Sequence, residues 1–172
     1  ELTSLVIPDK VTNIGPYAFA NSRLTSVTLG SGLETIGEFA FGQNKHSSMS
    51  GSVPNPDYDP GFAGLTSIVI PDSVTSIGPN AFLGTNLNSV TFGTNLEHGT
   101  TIGTRAFAYT NLSNLVIPNG VTSIGDAAFE DASLTSVTIS DSVEIIGVSA
   151  FYQNPGLTSV TFGSNPKLTT IS

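Results

Sequence analysis

The segment LTSLVIPDKVTNIGPYAF, running from Leu2 to Phe19, returns as LTSIVIPDSVTSIGPNAF from Leu65 and as LSNLVIPNGVTSIGDAAF from Leu112. A chain that copies itself is constrained more by its period than by any local propensity, because the fold must repeat wherever the sequence does. Between these copies lie LTSVTLGSGLETIGEFAF from Leu24, LNSVTFGTNLEHGTTIGTRAF from Leu87, LTSVTISDSVEIIGVSAF from Leu134 and a shorter LTSVTFGSNPKLTTI from Leu157. The seven openings are spaced by 22, 41, 22, 25, 22 and 23 residues.

Seven positions of each unit are nearly always apolar, in the first unit Leu2, Leu5, Ile7, Val11, Ile14, Ala18 and Phe19. Their intervals fit neither a strand period nor a helical one throughout, so the unit is a coil of short pieces. Leu5 to Ile7 alternates in and out and is rich in β-branched residues, as a strand should be; Pro8-Asp9 turns the chain. Val11 to Ile14 makes a second extended piece, Gly15 is expected to bend with φ > 0, and Ala18-Phe19 is expected to end the circuit on a helical turn. One unit cannot bury seven apolar side chains, whereas stacked units bury them against one another. The expected fold is therefore a repeat solenoid: a right-handed coil with one short parallel strand per repeat of about 22–23 residues and short helical or 3-10 turns on the other side. It runs as a single body over residues 1–172, with about seven repeats, a loop insertion over 42–64, and both ends cutting a repeat as an excerpt from a longer array would.

The pattern LxxIxIPxxVTxIGxxAF resembles the BspA-like, or Treponema-type, leucine-rich repeats of bacterial surface proteins. Its Ile-Gly-x-x-Ala-Phe box is complete at Ile14, Ile36, Ile77, Ile102, Ile124 and Ile146. Three residues after the Phe, where that family often has Cys, this chain has Ser22, Asn44, Thr85, Thr110, Ala132 and Asn154. The resemblance implies an extracellular or cell-surface adhesion or interaction module, binding a protein or a glycan.

Composition removes other classes. Thirteen Asp and Glu against five Lys and Arg give a net charge of −8, which repels nucleic acid and anionic lipid, and no apolar run is long enough to span a bilayer. With no cysteine there is neither a disulfide framework nor a thiolate zinc site. No GxSxG, HExxH, GxGxxG or GxxxxGK motif occurs, and the two histidines, His46 and His98, interrupt the repeat. Neither an enzyme activity nor a cofactor is expected. Outward strand positions line up into columns, among them Thr25, Thr28, Thr66, Thr91, Thr135, Thr138, Thr158 and Thr161, which either contact a repetitive ligand or simply reflect good strand residues copied from one ancestor. The insertion adds nineteen residues to the four that usually join a Phe to the next Leu, and holds Lys45, His46, Asp57, Tyr58, Asp59 and Phe62 as possible partner contacts. Three functions remain open: a binding module, a passive spacer, and a substrate-holding region of an extracellular enzyme.

Asp57 and Asp59 alternate in NPDYDPG, yet Pro60 stands where a calcium loop turns on Gly, and Thr66 where it closes on Glu. Turn formation explains them better. EDTA is accordingly expected to leave the melting temperature unchanged; a fall of several degrees would make these carboxylates calcium ligands.

Overall fold

The computed structural model describes residues 2–43, 64–94, 96 and 99–172. They form a parallel β-solenoid of seven coils, each contributing two strands. The first coil holds β1 (Ser4–Val6) and β2 (Asn13–Ile14), and the second β3 (Ser26–Thr28) and β4 (Thr35–Ile36). β5 (Ser67–Ile70) and β6 (Ser76–Ile77) follow, then β7 (Ser89–Phe92) and β8 (Thr100–Ile102). The last three pairs are β9 (Asn114–Ile117) with β10 (Val121–Ile124), β11 (Ser136–Ile139) with β12 (Ile145–Ile146), and β13 (Ser159–Phe162) with β14 (Thr170–Ile171).

The repeat solenoid is the fold that the sequence predicts, but the second extended piece of each unit is a strand in its own right. These second strands make one continuous seven-stranded parallel sheet whose register runs through the Ile of every box, from Ile14 paired with Ile36 to Ile146 paired with Ile171. The first strands divide instead into β1-β3, β5-β7 and β9-β11-β13. Each division falls just before a coil that turns at Pro71 or Pro118. In the unbroken stretches the residue at that place, such as Gly93 or Gly163, donates its N–H to the preceding coil, to Ile70 and Ile139 respectively, and proline has no N–H to give.

The box closes each circuit without a helix among the described residues. In the first coil Ala18, Ala20 and Ser22 donate their N–H groups three residues back, to Gly15, Tyr17 and Phe19, while Tyr17, Phe19 and Asn21 donate across to Glu38, Ala40 and Gly42 of the next coil. The same alternation recurs where Phe39, Phe41 and Gln43 reach Pro79, Ala81 and Leu83, and where Arg105, Phe107 and Tyr109 reach Asp126, Ala128 and Glu130. A helical turn would spend every N–H inside its own coil and leave nothing to tie the coils together. The alternative requires a left-handed residue before the Ala of each box, and Tyr17, Phe39, Asn80, Arg105, Ala127 and Ser149 all have φ between 52° and 58°.

The box glycines are not the positive-φ residues. A Cβ on Gly78 would lie 2.7 Å from the Glu38 nitrogen, and one on Gly125 2.7 Å from the Thr104 nitrogen, so glycine is needed here for the close approach of the preceding coil. Gly15, in the first coil, has nothing within 4 Å.

The core lies between the two sheets and the box. Phe19, Phe41, Phe82, Phe107, Phe129 and Phe151 stack along it with ring centroids 5.1–5.6 Å apart and nearly parallel planes, and Phe92 meets Phe107 edge-on. Three residues past the Phe, the hydroxyls of buried Thr85 and Thr110 donate to the carbonyls of Phe82 and Phe107. Asn154 does the same for Phe151 while its Oδ1 accepts from the Leu134 N–H. These groups close the turn three residues past the Phe.

Phe82→Ala or Phe107→Ala removes a fully buried ring with phenyl rings stacked on both sides, and should cost ~3–5 kcal/mol in urea unfolding. Values below about 0.5 kcal/mol would contradict this core. Ser149→Gly, at an exposed left-handed position, should stabilise by roughly 1 kcal/mol, whereas Gly125→Ala should destabilise. A destabilising Ser149→Gly would show that the residue before Ala is not conformationally strained, and a stabilising Gly125→Ala would show that the box glycine is not needed for close approach.

Candidate functional site

The strand face is built by the pleat. In β5 Ile68 and Ile70 point inward and are buried, which turns Ser67 and Val69 to solvent; β9 and β11 repeat the pattern with Leu115, Ile117, Val137 and Ile139 inside. Within each group of paired strands the outward residues stand in register, and the repeat continues the same columns from one group to the next. One reads Ser4, Ser26, Ser67, Ser89, Asn114, Ser136, Ser159 and the next Val6, Thr28, Val69, Thr91, Val116, Thr138, Thr161. A flanking column holds Thr25, Thr66, Thr135 and Thr158. All eight threonines singled out by the repeat are exposed here.

Two features of this face decide its chemistry. No position in the columns carries a charge or an aromatic ring, although the chain as a whole carries −8. Every described Asp and Glu sits in a turn, beside the second strands or on the box. The apolar members Val6, Val69 and Val116 stay 70%, 63% and 61% exposed, and each is followed one coil later by a threonine. The hydroxyls bond partly among themselves: Ser136 donates to the Asn114 side chain at 2.6 Å, and Thr161 to Thr138 at 3.2 Å.

Lys45, His46, Asp57, Tyr58, Asp59 and Phe62 lie outside the described residues, as does His98. Of the residues that the sequence singles out, the structure brings together the strand-face threonines.

A polar cluster that repeat reasoning overlooked joins the fourth and fifth coils on the box side. Glu130, almost buried, takes the Arg105 Nε at 3.3 Å on one oxygen and the Tyr109 hydroxyl at 3.2 Å on the other. Burial, and then the neighbouring carboxylate, push the Tyr109 phenol above its ordinary range. The signal was the break in consensus, since the position of Glu130 is Ala20, Gly42, Leu83 and Ala108 in earlier coils. With both carboxylate oxygens engaged inside the fold, the cluster braces two coils and offers no free acid or base. A shallow depression lies beside it, lined by Asp131, Phe151, Tyr152 and Gln153 among others. Tyr152, at the position that Glu130 holds one coil earlier, is 56% exposed there.

Carboxylates also splice the turns that follow the first strands. Asp9 accepts the Ser31 N–H at 2.8 Å, a bond that holds its carboxyl below the usual range, and Asp141 accepts the Asn165 N–H at 2.8 Å. Among the described residues, no helix is long and apolar enough to cross a membrane.

Strand columns, box and Phe stack together define a leucine-rich-repeat solenoid. The family model of the BspA type leucine-rich repeat region matches in six copies over residues 1–55 and 61–172, and the chain belongs to that family. Among solved structures, the pneumococcal vaccine antigen PcpA is similar with a TM-score of 0.57 at 18% identity, over 96% of this chain and 51% of that one. A leucine-rich repeat protein from Bacteroides ovatus is similar with a TM-score of 0.58 at 22% identity, over 93% of this chain and 43% of that one. At these identities the likeness is one of fold, and the chain spans about half the length of the proteins it resembles. No curated protein sequence matches it.

The Tyr109 phenol binds its proton more tightly folded than unfolded, so its contribution to stability is full below the ordinary phenol value and is lost as pH rises through the raised one. Between about pH 9 and about pH 11.5 the urea midpoint should therefore fall further for the parent than for Tyr109→Phe. Equal falls would show that the phenol is not held.

Proposed function

We propose that this chain is a non-enzymatic binding module of a secreted or cell-surface bacterial protein, and that the strand face is where it meets its partner. The observation that carries this reading is the segregation of charge: among the described residues, the strand columns of an acidic chain carry only uncharged, mostly small side chains, hydroxyls and valines, over seven coils. Membership of the BspA-type family and the fold of the pneumococcal antigen support a repeat interaction module at a cell surface. Among the described residues the buried carboxylate, Glu130, is engaged on both oxygens by Arg105 and Tyr109, which supports the non-enzymatic reading.

The uniformity of the strand face also favours a second reading, in which the stack is a spacer that holds something else away from the cell. The two separate in the parent bacterium. Antibody against the chain should label intact cells, and the triple variant Thr28→Lys, Thr91→Lys, Thr138→Lys should reduce attachment to protein- and glycan-coated surfaces while leaving labelling unchanged. Attachment equal to the parent's would establish the spacer, and antigen found only after lysis would remove the surface reading altogether.

A further inference from the structure

The geometry points to a neutral, extended, β-linked polysaccharide as the ligand of the strand face, lying along the solenoid axis. The inference rests on the binding role proposed above and narrows it to one class of partner.

The face covers roughly 12 Å by 30 Å from strand geometry, near 350 Å², against about 800 Å² that each side of a standard protein interface buries. It also lacks the Tyr, Trp and Arg anchors on which protein interfaces concentrate their affinity. A folded protein partner would find too little area and no anchor. The absence of charge excludes recognition of a polyanion or a basic peptide by attraction. What the face does offer is many weak, similar subsites in a row, and such an array gains affinity only from a ligand that is itself repetitive, through the high effective concentration of each successive contact.

The period narrows the ligand further. The Ser column is present in nearly every coil, with Asn114 as its one variant, while the next column alternates Val and Thr over the first six coils. The chemical pattern therefore repeats every two coils, roughly 10 Å. An extended β-linked polysaccharide turns each sugar over relative to the last, so that one edge presents the same groups at every second residue, at roughly one residue per coil. The hydroxyls along its edges meet the Ser and Thr oxygens, and the axial C–H groups of its ring faces meet the exposed methyls of Val6, Val69 and Val116. A coiled, α-linked polymer keeps no such register.

The test uses native affinity electrophoresis of the whole chain through gels containing hydroxyethylcellulose, glucomannan or mixed-linkage β-glucan, with carboxymethylcellulose as an anionic counterpart. At least one neutral polymer should retard the chain, and raising the salt should leave the retardation unchanged, because no charge pairs are involved. Soluble oligosaccharides of the same polymer should compete better as they lengthen, up to the span of the seven coils. The Thr91→Lys, Thr138→Lys variant changes only exposed positions and should migrate freely, with an unchanged urea midpoint confirming its fold. Retardation by no neutral polymer, retardation confined to carboxymethylcellulose and lost in salt, or equal retardation of parent and variant would each overturn the inference. If the polymers fail while the triple lysine variant still impairs bacterial attachment, the face binds something else and only the ligand class falls.

Discussion

Everything in this fold depends on neighbouring coils approaching until their backbones share hydrogen bonds around most of the circuit. The second strands do this as a conventional parallel ladder, and the box does it with alternate N–H groups, one inward to its own turn and the next across to the adjacent coil. That closeness is what the box glycine permits, because the carbonyl and nitrogen of the preceding coil occupy the space that a Cβ would need. It also draws the phenyl rings into one column, since rings carried at the same place in successive coils have nowhere to go but onto one another.

The same constraint imposes a cost. Six non-glycine residues sit in the left-handed region immediately before the Ala of each box, and at about 1 kcal/mol each this is a substantial strain for a single domain. It persists because the surrounding ladder determines the backbone at those residues more strongly than their own preference does. Asn80 is the one residue of the column that tolerates the conformation readily, and Tyr17, Phe39 and Arg105 show that the backbone, not the side chain, decides it.

The solenoid, the register of its first strands and the burial of its recurring Phe were legible in the sequence because a period exposes which positions must face inward. The left-handed column was not, because its residues share no type: a Tyr, a Phe and an Arg give no sign of a common φ. Glycine misled in the opposite way. Its recurrence at Gly15, Gly37, Gly78, Gly103, Gly125 and Gly147 reads naturally as a need for φ > 0, when the need, at all of them but Gly15, is for clearance from a neighbour that a single repeat does not contain. Glu130 escaped for a similar reason, as its role appears only when Arg105 and Tyr109 arrive from another coil. The strand-face threonines could be placed from the repeat alone, since exposure there follows from alternation, but their collective neutrality acquires meaning only once the charged residues are seen to lie elsewhere.

A surface assembled this way differs in kind from an ordinary binding site. In a globular domain a few residues from distant parts of the chain are gathered around one pocket, and specificity resides in that unique arrangement. Here the stacking of the coils fixes the spacing between equivalent positions, so under the binding role proposed for the strand face, discrimination comes from that spacing and not from any single side chain. Substituting one column member should therefore weaken a repetitive ligand only fractionally, whereas changing the spacing between coils would remove the match at every subsite at once. The close stacking that glycine allows in the box is thus also what sets the dimensions of the outer face, and the two cannot vary independently.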